Sequence, residues 1–190
     1  MEREHTKFET PMQDIALKPV DTHGLILDIG GGGEGLVSRI AGSKVCAVDY
    51  RLDEIREARI HDPPSNWFVT DGQALPFRDS SFNLATLWFS LEYMRDWSTK
   101  KKVLSEAYRA LKTSGKISIL ASEIDCKEDI FVFHVNFILP DGTPVKTGYG
   151  VWGGQGQTPE TLTALLRELG FGEIEIEEND WWFRIHASKV

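Results

Sequence analysis

The sequence is poor in cysteine and in long apolar runs. Its 190 residues include only two cysteines, Cys46 and Cys126, too few for a disulfide framework or a cysteine-based metal site. We therefore expect no bound metal, and a reducing compartment such as the cytoplasm. No segment approaches the ~20 apolar residues that cross a bilayer, and the first residues lack the apolar core of a signal peptide. A soluble protein with no membrane partner is predicted.

Basic charge is also scarce. Acidic residues outnumber basic ones by 29 to 21, and the net charge is -8. Because nucleic-acid phosphates attract clustered lysine and arginine, no nucleic-acid partner is expected. The densest basic run, Lys100 to Lys102, falls in a predicted helix and is interpreted as a solvated face.

The stretch 25–35 combines aliphatic residues, one acid and a run of glycines. It reads Leu-Ile-Leu-Asp-Ile-Gly-Gly-Gly-Gly-Glu-Gly. The aliphatic residues predict a buried strand and the glycines a tight turn. The helical spacing of apolar residues over 36–41 predicts a helix that ends at Gly42. Glycines in such a loop let the backbone approach a ligand where a side chain would collide with it.

The pattern of strand followed by helix continues along the chain. Segments 44–49, 67–70, 83–88 and 116–120 predict strands, and segments 51–60 and 98–111 predict helices. The strands are nearly continuous apolar runs, as a parallel sheet covered by helices on both faces requires. At this length, one α/β domain over residues 1–190 is predicted.

The two ends of the chain depart from this alternation. Residues 1–20 predict only a short lead-in, with enough apolar positions for a short helix. Residues 130–157 predict an inserted hairpin turning at 140–143, followed by a glycine-rich link. A helix should begin with Thr158 as its cap. Segments 173–177 and 181–187 predict a final antiparallel hairpin.

Several ordered motifs together resemble the class I S-adenosylmethionine-dependent methyltransferases. They are the segment 27–32, Asp49 after the second strand, Asp71 with Leu75-Pro76-Phe77, the segment 106–112 before Gly115, and the terminal hairpin. The resemblance implies a Rossmann-like three-layer α/β sandwich. Its mostly parallel seven-stranded sheet would carry an antiparallel C-terminal hairpin and the inserted β-hairpin. It also implies methyl transfer from S-adenosyl-L-methionine to a small-molecule acceptor.

The resemblance further assigns a cofactor site at the carboxyl ends of the strands, where open α/β sheets bind ligands. Asp49 would accept hydrogen bonds from the ribose hydroxyls, and Asp71 would accept from the adenine amine while the Gly72 amide donates to the ring. Asp28 would orient the loop or the ligand's amino group. The predicted cofactor-binding residues are Asp28, Gly30, Gly31, Gly32, Asp49, Tyr50, Asp71, Gly72, Gln73 and Trp88.

Catalysis of methyl transfer asks little of side chains, because aligning the nucleophile and excluding water can supply ~7 to 11 kcal/mol of the barrier. A general base is needed only if the acceptor arrives protonated. The candidates after the fourth and fifth strands and in the insert are Ser90, Glu92, Tyr93, Glu123, Asp125, His134 and Tyr149, and none stands out. We expect segment 131–157, with Tyr149 and Trp152, to cover the acceptor side. A structural hairpin or a homodimer contact is the alternative for this segment.

Two other functions stay open. Gly30-x-Gly32-x-x-Gly35 followed by Asp49 also matches a dinucleotide fingerprint, which would indicate a NAD(P)-dependent reductase. Asp28, Asp71 and the terminal hairpin favour the methyltransferase. A non-catalytic module that binds S-adenosylmethionine or a partner is the second alternative, because no residue is marked as catalytic.

Overall fold

The computed structural model describes residues 4–20, 23–61 and 63–190 and contains two β-sheets. The strands in chain order are β1 (Lys7–Glu9), β2 (Gln13–Ala16), β3 (Ile26–Ile29), β4 (Val45–Asp49), β5 (Asn66–Val69), β6 (Phe82–Trp88), β7 (Leu111–Ser122), β8 (Ile130–Ile138), β9 (Pro144–Trp152), β10 (Phe171–Glu178) and β11 (Trp182–Lys189). The helices are α1 (Leu36–Ala41), α2 (Leu52–Ala58), α3 (Trp97–Ala110) and α4 (Pro159–Glu168).

The central sheet has seven strands in the order β10-β11-β7-β6-β3-β4-β5. β5, β4, β3, β6 and β7 run parallel, whereas β11 is antiparallel to both β7 and β10. The predicted mostly parallel sheet with an antiparallel C-terminal hairpin is confirmed. The order reverses at β3, which lies between β6 and β4, so the carboxyl end of β3 is the switch point where ligands bind in such sheets.

The helices form where side-chain spacing and capping favour them. Val103, Leu104 and Ala107 recur on one buried face of α3 and pack against the central sheet. α4 begins at the predicted cap, where the Thr158 side chain accepts from the Thr161 amide and the Thr161 side chain accepts from the Thr158 amide. Such reciprocal bonds satisfy main-chain groups that the first turn leaves unpaired. Among the described residues, no helix combines the length and apolar character needed to cross a bilayer.

Residues 4–20, the described part of the predicted lead-in, contain no helix, so the short helix predicted there is wrong. They form β1 and β2, which pair in parallel with the first and second parts of β8. β9 pairs antiparallel with β8, which is the inserted hairpin that the sequence predicts. These strands form a second, four-stranded sheet. The backbone of β1 and β2 is extended because this conformation lets Phe8 stack on Phe131 and buries Ile15 in the same apolar cluster.

The second sheet covers the carboxyl edge of the central sheet. Side chains at alternate positions of β8 (Phe131, Phe133, Val135 and Phe137) are buried, as the period of a strand requires. They pack in one apolar cluster with Phe89 after β6 and Leu120 near the end of β7. The inserted hairpin is therefore fixed above the edge where the sequence places its acids.

Candidate active site

The loop between β3 and α1 lines a cavity of about 780 Å³ between the two sheets. Gly30 has φ +74°, a conformation that favours glycine, and a Cβ on this residue would lie 2.4 Å from the Ser90 Cβ. The amides of Gly30 and Gly31 donate to the carbonyl of Val48 at 2.9 and 3.2 Å. The loop thus presents backbone to the cavity and is held from behind by β4.

Asp28 lies beneath this loop and is 2% exposed. Its Oδ1 accepts a 2.6 Å hydrogen bond from the Thr86 hydroxyl, and a Cβ on Gly31 would lie 2.2 Å from its Oδ2. Burial raises the pKa of Asp28 to about 7, against the lowering effect of the Thr86 bond, and the nearby charge of Asp49 raises it further. Asp28 is therefore a buried acid that packs directly against Gly31, and its pKa is raised to about 7.

Asp49 ends β4 and is half-buried on the cavity wall. Its Oδ1 accepts from the Arg51 amide at 2.9 Å and its Oδ2 accepts from the Gly32 amide at 3.3 Å. Burial raises the pKa of Asp49, while these amide bonds and the Arg51 charge oppose the rise. Each carboxylate oxygen has a second lone-pair site, so Asp49 can accept further bonds from a ligand diol. Tyr50 lines the same wall and is 70% exposed.

Asp71, Gly72 and Gln73 follow β5 and line the neighbouring wall. Asp71 Oδ1 accepts a 2.8 Å bond from the Gln73 amide, and the Gln73 side chain also donates to this carboxylate at 3.3 and 3.4 Å. A Cβ on Gly72 would lie 3.2 Å from Ile29 Cγ2, so a larger residue would crowd the end of β3. The turn therefore places the Asp71 carboxylate, which can accept hydrogen bonds, next to the closely packed backbone of Gly72.

Trp88 ends β6 and lines the cavity. Its indole Nε1 donates to the Ser118 hydroxyl at 3.1 Å. Because this N–H is engaged within the protein, the part of Trp88 that can meet a ligand is its ring.

The opposite wall comes from the second sheet and from the segment 89–93 after β6. Phe89, Phe137, Tyr93 and Tyr149 line it. Phe89 packs against Phe137 with ring centroids 5.3 Å apart, and Tyr93 packs against Tyr149 at 5.6 Å. Rings in offset or tilted contact provide flat apolar surface. The cavity therefore has a polar end with Asp49 and Asp71 and an aromatic end.

Comparisons with known proteins agree with this architecture. Residues 27–119 match the family described as methyltransferase domain. Ubiquinone/menaquinone biosynthesis C-methyltransferase UbiE of Desulfotalea psychrophila is 28% identical over 72% of this chain and 59% of its own length. Demethylmenaquinone methyltransferase of Renibacterium salmoninarum is 34% identical over 42% of this chain and 32% of its own. The chain thus spans less than two thirds of these curated relatives.

A solved S-adenosylmethionine-dependent methyltransferase of Methanosarcina mazei superposes with TM-score 0.67 over 90% of this chain and 95% of its own, at 20% identity. Residues 27–119 thus resemble the methyltransferase domain family in sequence, and the chain shares the fold of a solved S-adenosylmethionine-dependent methyltransferase. Phosphoethanolamine N-methyltransferase 2 of Haemonchus contortus, solved with S-adenosyl-L-methionine, shares the fold with TM-score 0.63 and 19% identity, over 90% of this chain and 50% of its own.

The Haemonchus contortus enzyme was solved with S-adenosyl-L-methionine, and the cavity of this chain has the chemistry to hold that ligand. The ligand's ribose diol and adenine amine are hydrogen-bond donors, and the strand ends supply the acceptors Asp49 and Asp71. All ten residues predicted for the cofactor line the cavity, namely Asp28, Gly30, Gly31, Gly32, Asp49, Tyr50, Asp71, Gly72, Gln73 and Trp88. Their individual contacts with the ligand remain predictions.

The candidate catalytic residues of this chain separate into three groups. Tyr93 and Tyr149 line the cavity, as does Ser90. Glu92 is buried and does not line it, and its Oε1 accepts a 2.7 Å bond from the Ser122 amide.

Glu123 and His134 lie away from the cavity, and Asp125 does not line it either. His134 occupies an outward position of β8, between the inward Phe133 and Val135, and its ring nitrogen contacts Glu9 at 3.3 Å. Glu123 follows the end of β7, where its amide donates to the carbonyl of Trp181. Alternation of side chains along a strand accounts for the position of His134, so a role for it in catalysis is not supported.

Lys100 is a polar residue whose place the sequence interpretation misjudged. It is 0% exposed, and its ammonium donates to the side-chain oxygens of Gln155, at 2.8 Å, and Gln157. The solvated face predicted for 100–102 is therefore wrong at its first position. A signal was present, because Lys100, Val103, Leu104 and Ala107 share one helical face.

The glycine-rich link after β9 is held in place at Gly153, Gln155 and Gln157. A Cβ on Gly153 would lie 2.1 Å from the Glu128 carbonyl oxygen, and Gln155 and Gln157 anchor the link to Lys100. Trp152 lies outside the cavity and packs edge-on against His5 with Arg95 over its ring. Its place follows from register, since Tyr149 pairs with the inward Phe133 and Trp152 pairs with Ile130. Tyr149, but not Trp152, can thus meet an acceptor.

Proposed function

We propose that the chain transfers a methyl group from S-adenosylmethionine to a small aromatic acceptor that carries a hydroxyl group. The observation that carries this proposal is that one cavity of about 780 Å³ is lined both by the strand-end carboxylates Asp49 and Asp71 and by the aromatic rings of Phe89, Phe137, Tyr93 and Tyr149. A donor and an acceptor bound at the two ends would meet at the glycine loop.

The carboxylate end supports the cofactor part of the proposal. Asp49 would accept from the ribose hydroxyls, Asp71 from the adenine amine, and Trp88 would present its ring. The backbone at Gly30 and Gly31 lets the ligand approach without a side chain between them. When bound, S-adenosylmethionine supplies an electrophilic methyl group on a sulfonium whose departure needs no acid catalyst.

The aromatic end supports the acceptor part. Phe89, Phe137, Tyr93 and Tyr149 offer flat surfaces that suit an aromatic ring. The names of the relatives point the same way, because these proteins methylate demethylmenaquinone or intermediates of ubiquinone and menaquinone biosynthesis. Since this chain spans only part of such relatives, their substrates serve here as a guide to the acceptor's class.

The chain's own contribution to the rate would be alignment and exclusion of water. The second sheet closes over the carboxyl edge of the central sheet, so an acceptor between Phe137 and Tyr149 would be shielded on that side. Alignment in such a site can lower a barrier by ~7 to 11 kcal/mol.

Titration calorimetry and a turnover assay together test the proposal. We expect S-adenosylmethionine and S-adenosylhomocysteine to bind and NAD(H) and NADP(H) not to bind. With 1,4-dihydroxynaphthalene as the probe acceptor, mass spectrometry should detect a product heavier by one methyl group in place of hydrogen. Binding without turnover of this probe or of a metabolite extract would favour a non-catalytic binding module. Binding of nicotinamide cofactors alone would favour the reductase.

We also propose a reducing compartment such as the cytoplasm, which is supported by Cys46 and Cys126 both being free thiols. A homodimer, with a small-molecule acceptor as the only other partner, stays a prediction. Light scattering of the purified chain measures its oligomeric state directly.

A further inference from the structure

A chain of hydrogen bonds leads from the aromatic end of the cavity into the protein interior. The hydroxyl of Tyr149, on β9, donates to the Ser122 Oγ at 3.0 Å. The hydroxyl of Ser122, the last residue of β7, lies 3.4 Å from Glu92 Oε1 and donates to it. Glu92 belongs to the short turn 91–93 after β6. Three separate elements therefore place a tyrosine, a serine and a carboxyl group in sequence.

The carboxyl group at the inner end is buried beyond what a structural role requires. Glu92 is 1% exposed, and its Oε1 also accepts a 2.7 Å bond from the Ser122 amide. Its Oε2 is buried and has no hydrogen-bond partner among the described residues. A glutamine carbonyl could accept both Ser122 bonds without the cost of a buried ionisable group. The second oxygen and the charge therefore need another explanation.

The groups that face Glu92 set its proton affinity. Lys100 approaches from α3, Tyr149 from β9, and Tyr93 belongs to the same turn. At the outer end of this chain of hydrogen bonds, Glu34 of the glycine loop lines the cavity, and its charge raises the pKa of Tyr149 and of Tyr93. Burial raises the pKa of Glu92 to about 7, and the Ser122 bonds and the Lys100 charge oppose this rise. Burial also raises the pKa of Tyr149 well above its ordinary range. A carboxyl group that titrates near pH 7 can take up and release a proton under ordinary conditions.

We propose that Tyr149, Ser122 and Glu92 form a proton relay that removes the proton of an acceptor hydroxyl bound in the cavity. This inference rests on the proposed function and narrows its acceptor to a group that must lose a proton, such as a phenol or quinol. Tyr149 is the catalytic residue because it contacts the acceptor. Ser122 and Glu92 are positioning residues that act through it.

The relay balances in both directions. The acceptor O–H bond breaks and its proton passes to the Tyr149 oxygen, while the Tyr149 proton passes to Ser122 and the Ser122 proton to the Glu92 carboxylate. The acceptor oxygen, or the ring carbon conjugated with it, forms a bond to the methyl carbon as the carbon–sulfur bond breaks and its electron pair stays on sulfur. For attack through carbon, the ring hydrogen leaves as a proton to water. After product release, Glu92 returns its proton to water along the same chain.

The pH profile of turnover separates a relay from a merely structural role. Tyr149→Phe, Ser122→Ala and Glu92→Gln should lower kcat for 1,4-dihydroxynaphthalene by about 10²- to 10⁴-fold near neutral pH, a typical loss for proton transfer. Their rates should then climb about tenfold per pH unit as the acceptor hydroxyl ionises without help. The parent should be flat above about pH 7, because its carboxylate is already ionised.

Two controls accompany these variants. Ser105→Ala removes a hydroxyl that bonds the Lys101 carbonyl outside the cavity, and its profile should match the parent. The affinity of each relay variant for S-adenosylmethionine should stay within about threefold, under ~1 kcal/mol. Slower variants that keep the parent's profile shape would overturn the relay and leave only a structural role.

A titration that needs no turnover tests the linkage itself. In protein labelled with ¹³C at glutamate carboxyl groups, the Glu92 signal is assigned by its loss in Glu92→Gln. We expect a titration midpoint near neutral pH that rises in Ser122→Ala, which removes one donated bond, and that moves in Tyr149→Phe through Ser122. A midpoint near that of exposed glutamates, or one insensitive to Tyr149→Phe, would overturn the relay. If the midpoint behaves as expected but no acceptor turns over, the proposed function fails and not the linkage.

Discussion

Lys100 Nζ donates a 2.8 Å hydrogen bond to the side-chain oxygen of Gln155, across 55 residues of sequence. The same ammonium donates to Gln157, and the Gln157 amide donates to the Ser122 carbonyl at 2.9 Å. The Gln155 amide in turn donates to the Glu92 carbonyl at 2.8 Å. These bonds join α3, the link after β9 and the turn at 91–93, so one buried lysine fastens the second sheet beside the cavity.

Replacing this lysine should loosen the fastening. Lys100→Met keeps the apolar stem but leaves two buried carbonyl oxygens without their donor, and each such loss costs about 1 to 3 kcal/mol. Because the variant also removes the cost of burying an ammonium, we expect the free energy of unfolding in urea to fall by about 1 to 3 kcal/mol in total. Lys101→Met, which removes only an exposed pair with Glu168, should change it by less than about 1 kcal/mol. Equal effects of the two variants would contradict the buried role of Lys100.

The buried carboxyl groups predict how stability depends on pH. Burial raises the pKa of Glu92 from 4.5 to about 7, so the folded protein binds more protons than the unfolded chain between these values. The contribution of protonated Glu92 to the free energy of unfolding is fully present below about pH 4.5 and is lost as pH rises through about 7. At 1.36 kcal/mol per pKa unit, the loss is about 3 kcal/mol at most.

Denaturant titrations of Glu92→Gln between about pH 4.5 and 7.5 check this sign. In Glu92→Gln the free energy of unfolding should fall much less with rising pH than in the parent. In Glu178→Gln, an exposed control, it should fall as it does in the parent. Asp28→Asn should also flatten the curve, because burial raises the pKa of Asp28 to about 7 as well. If the stability of Glu92→Gln declined as steeply as that of the parent over this interval, a raised pKa of Glu92 would be excluded.

Asp49 should dominate the affinity for the cofactor. If it accepts from the ribose hydroxyls, Asp49→Ala should weaken S-adenosylmethionine binding by about 1.5 to 3 kcal/mol, roughly tenfold to a hundredfold. Asp53→Ala removes an equal charge nearby that pairs with Arg51 and does not line the cavity, so it serves as the matched control. If calorimetry finds that both variants bind S-adenosylmethionine equally weakly, the effect comes from the loss of negative charge near the cavity and not from a direct contact between Asp49 and the ligand.

Local sequence features predicted the central sheet and the acids at its edge well. Asp28, Asp49 and Asp71 meet at one cavity because Asp28 lies near the end of β3, Asp49 ends β4 and Asp71 follows β5, and the carboxyl ends of such parallel strands share an edge. The glycine run predicted the loop because Gly30 needs a positive φ that other residues rarely adopt. These features depend on neighbours in sequence, so the sequence alone reveals them.

The features that sequence missed depend on partners far along the chain. β1 and β2 contain three and four residues, too few for a strand pattern, and they become ordered by pairing with β8. Ser122 carries no sign of a role until Tyr149 and Glu92 are placed on either side of it. His134 seemed a candidate because its chemistry was visible in sequence, but the register that turns it outward was not.

The register of β9 gives a last prediction, which concerns the acceptor end alone. Thr147 pairs with the inward Val135 and lines the cavity, whereas the next residue back, Lys146, pairs with Asn136 and is exposed. Thr147→Trp should therefore fill the aromatic end and raise KM for 1,4-dihydroxynaphthalene at least about tenfold, equivalent to ~1.4 kcal/mol. Its affinity for S-adenosylmethionine should stay within about threefold, because the carboxylate end is unchanged. Lys146→Trp places the same ring on the opposite face and should leave both constants near those of the parent. If Thr147→Trp weakened only the cofactor, or if both tryptophan variants acted alike, the acceptor would have to bind elsewhere.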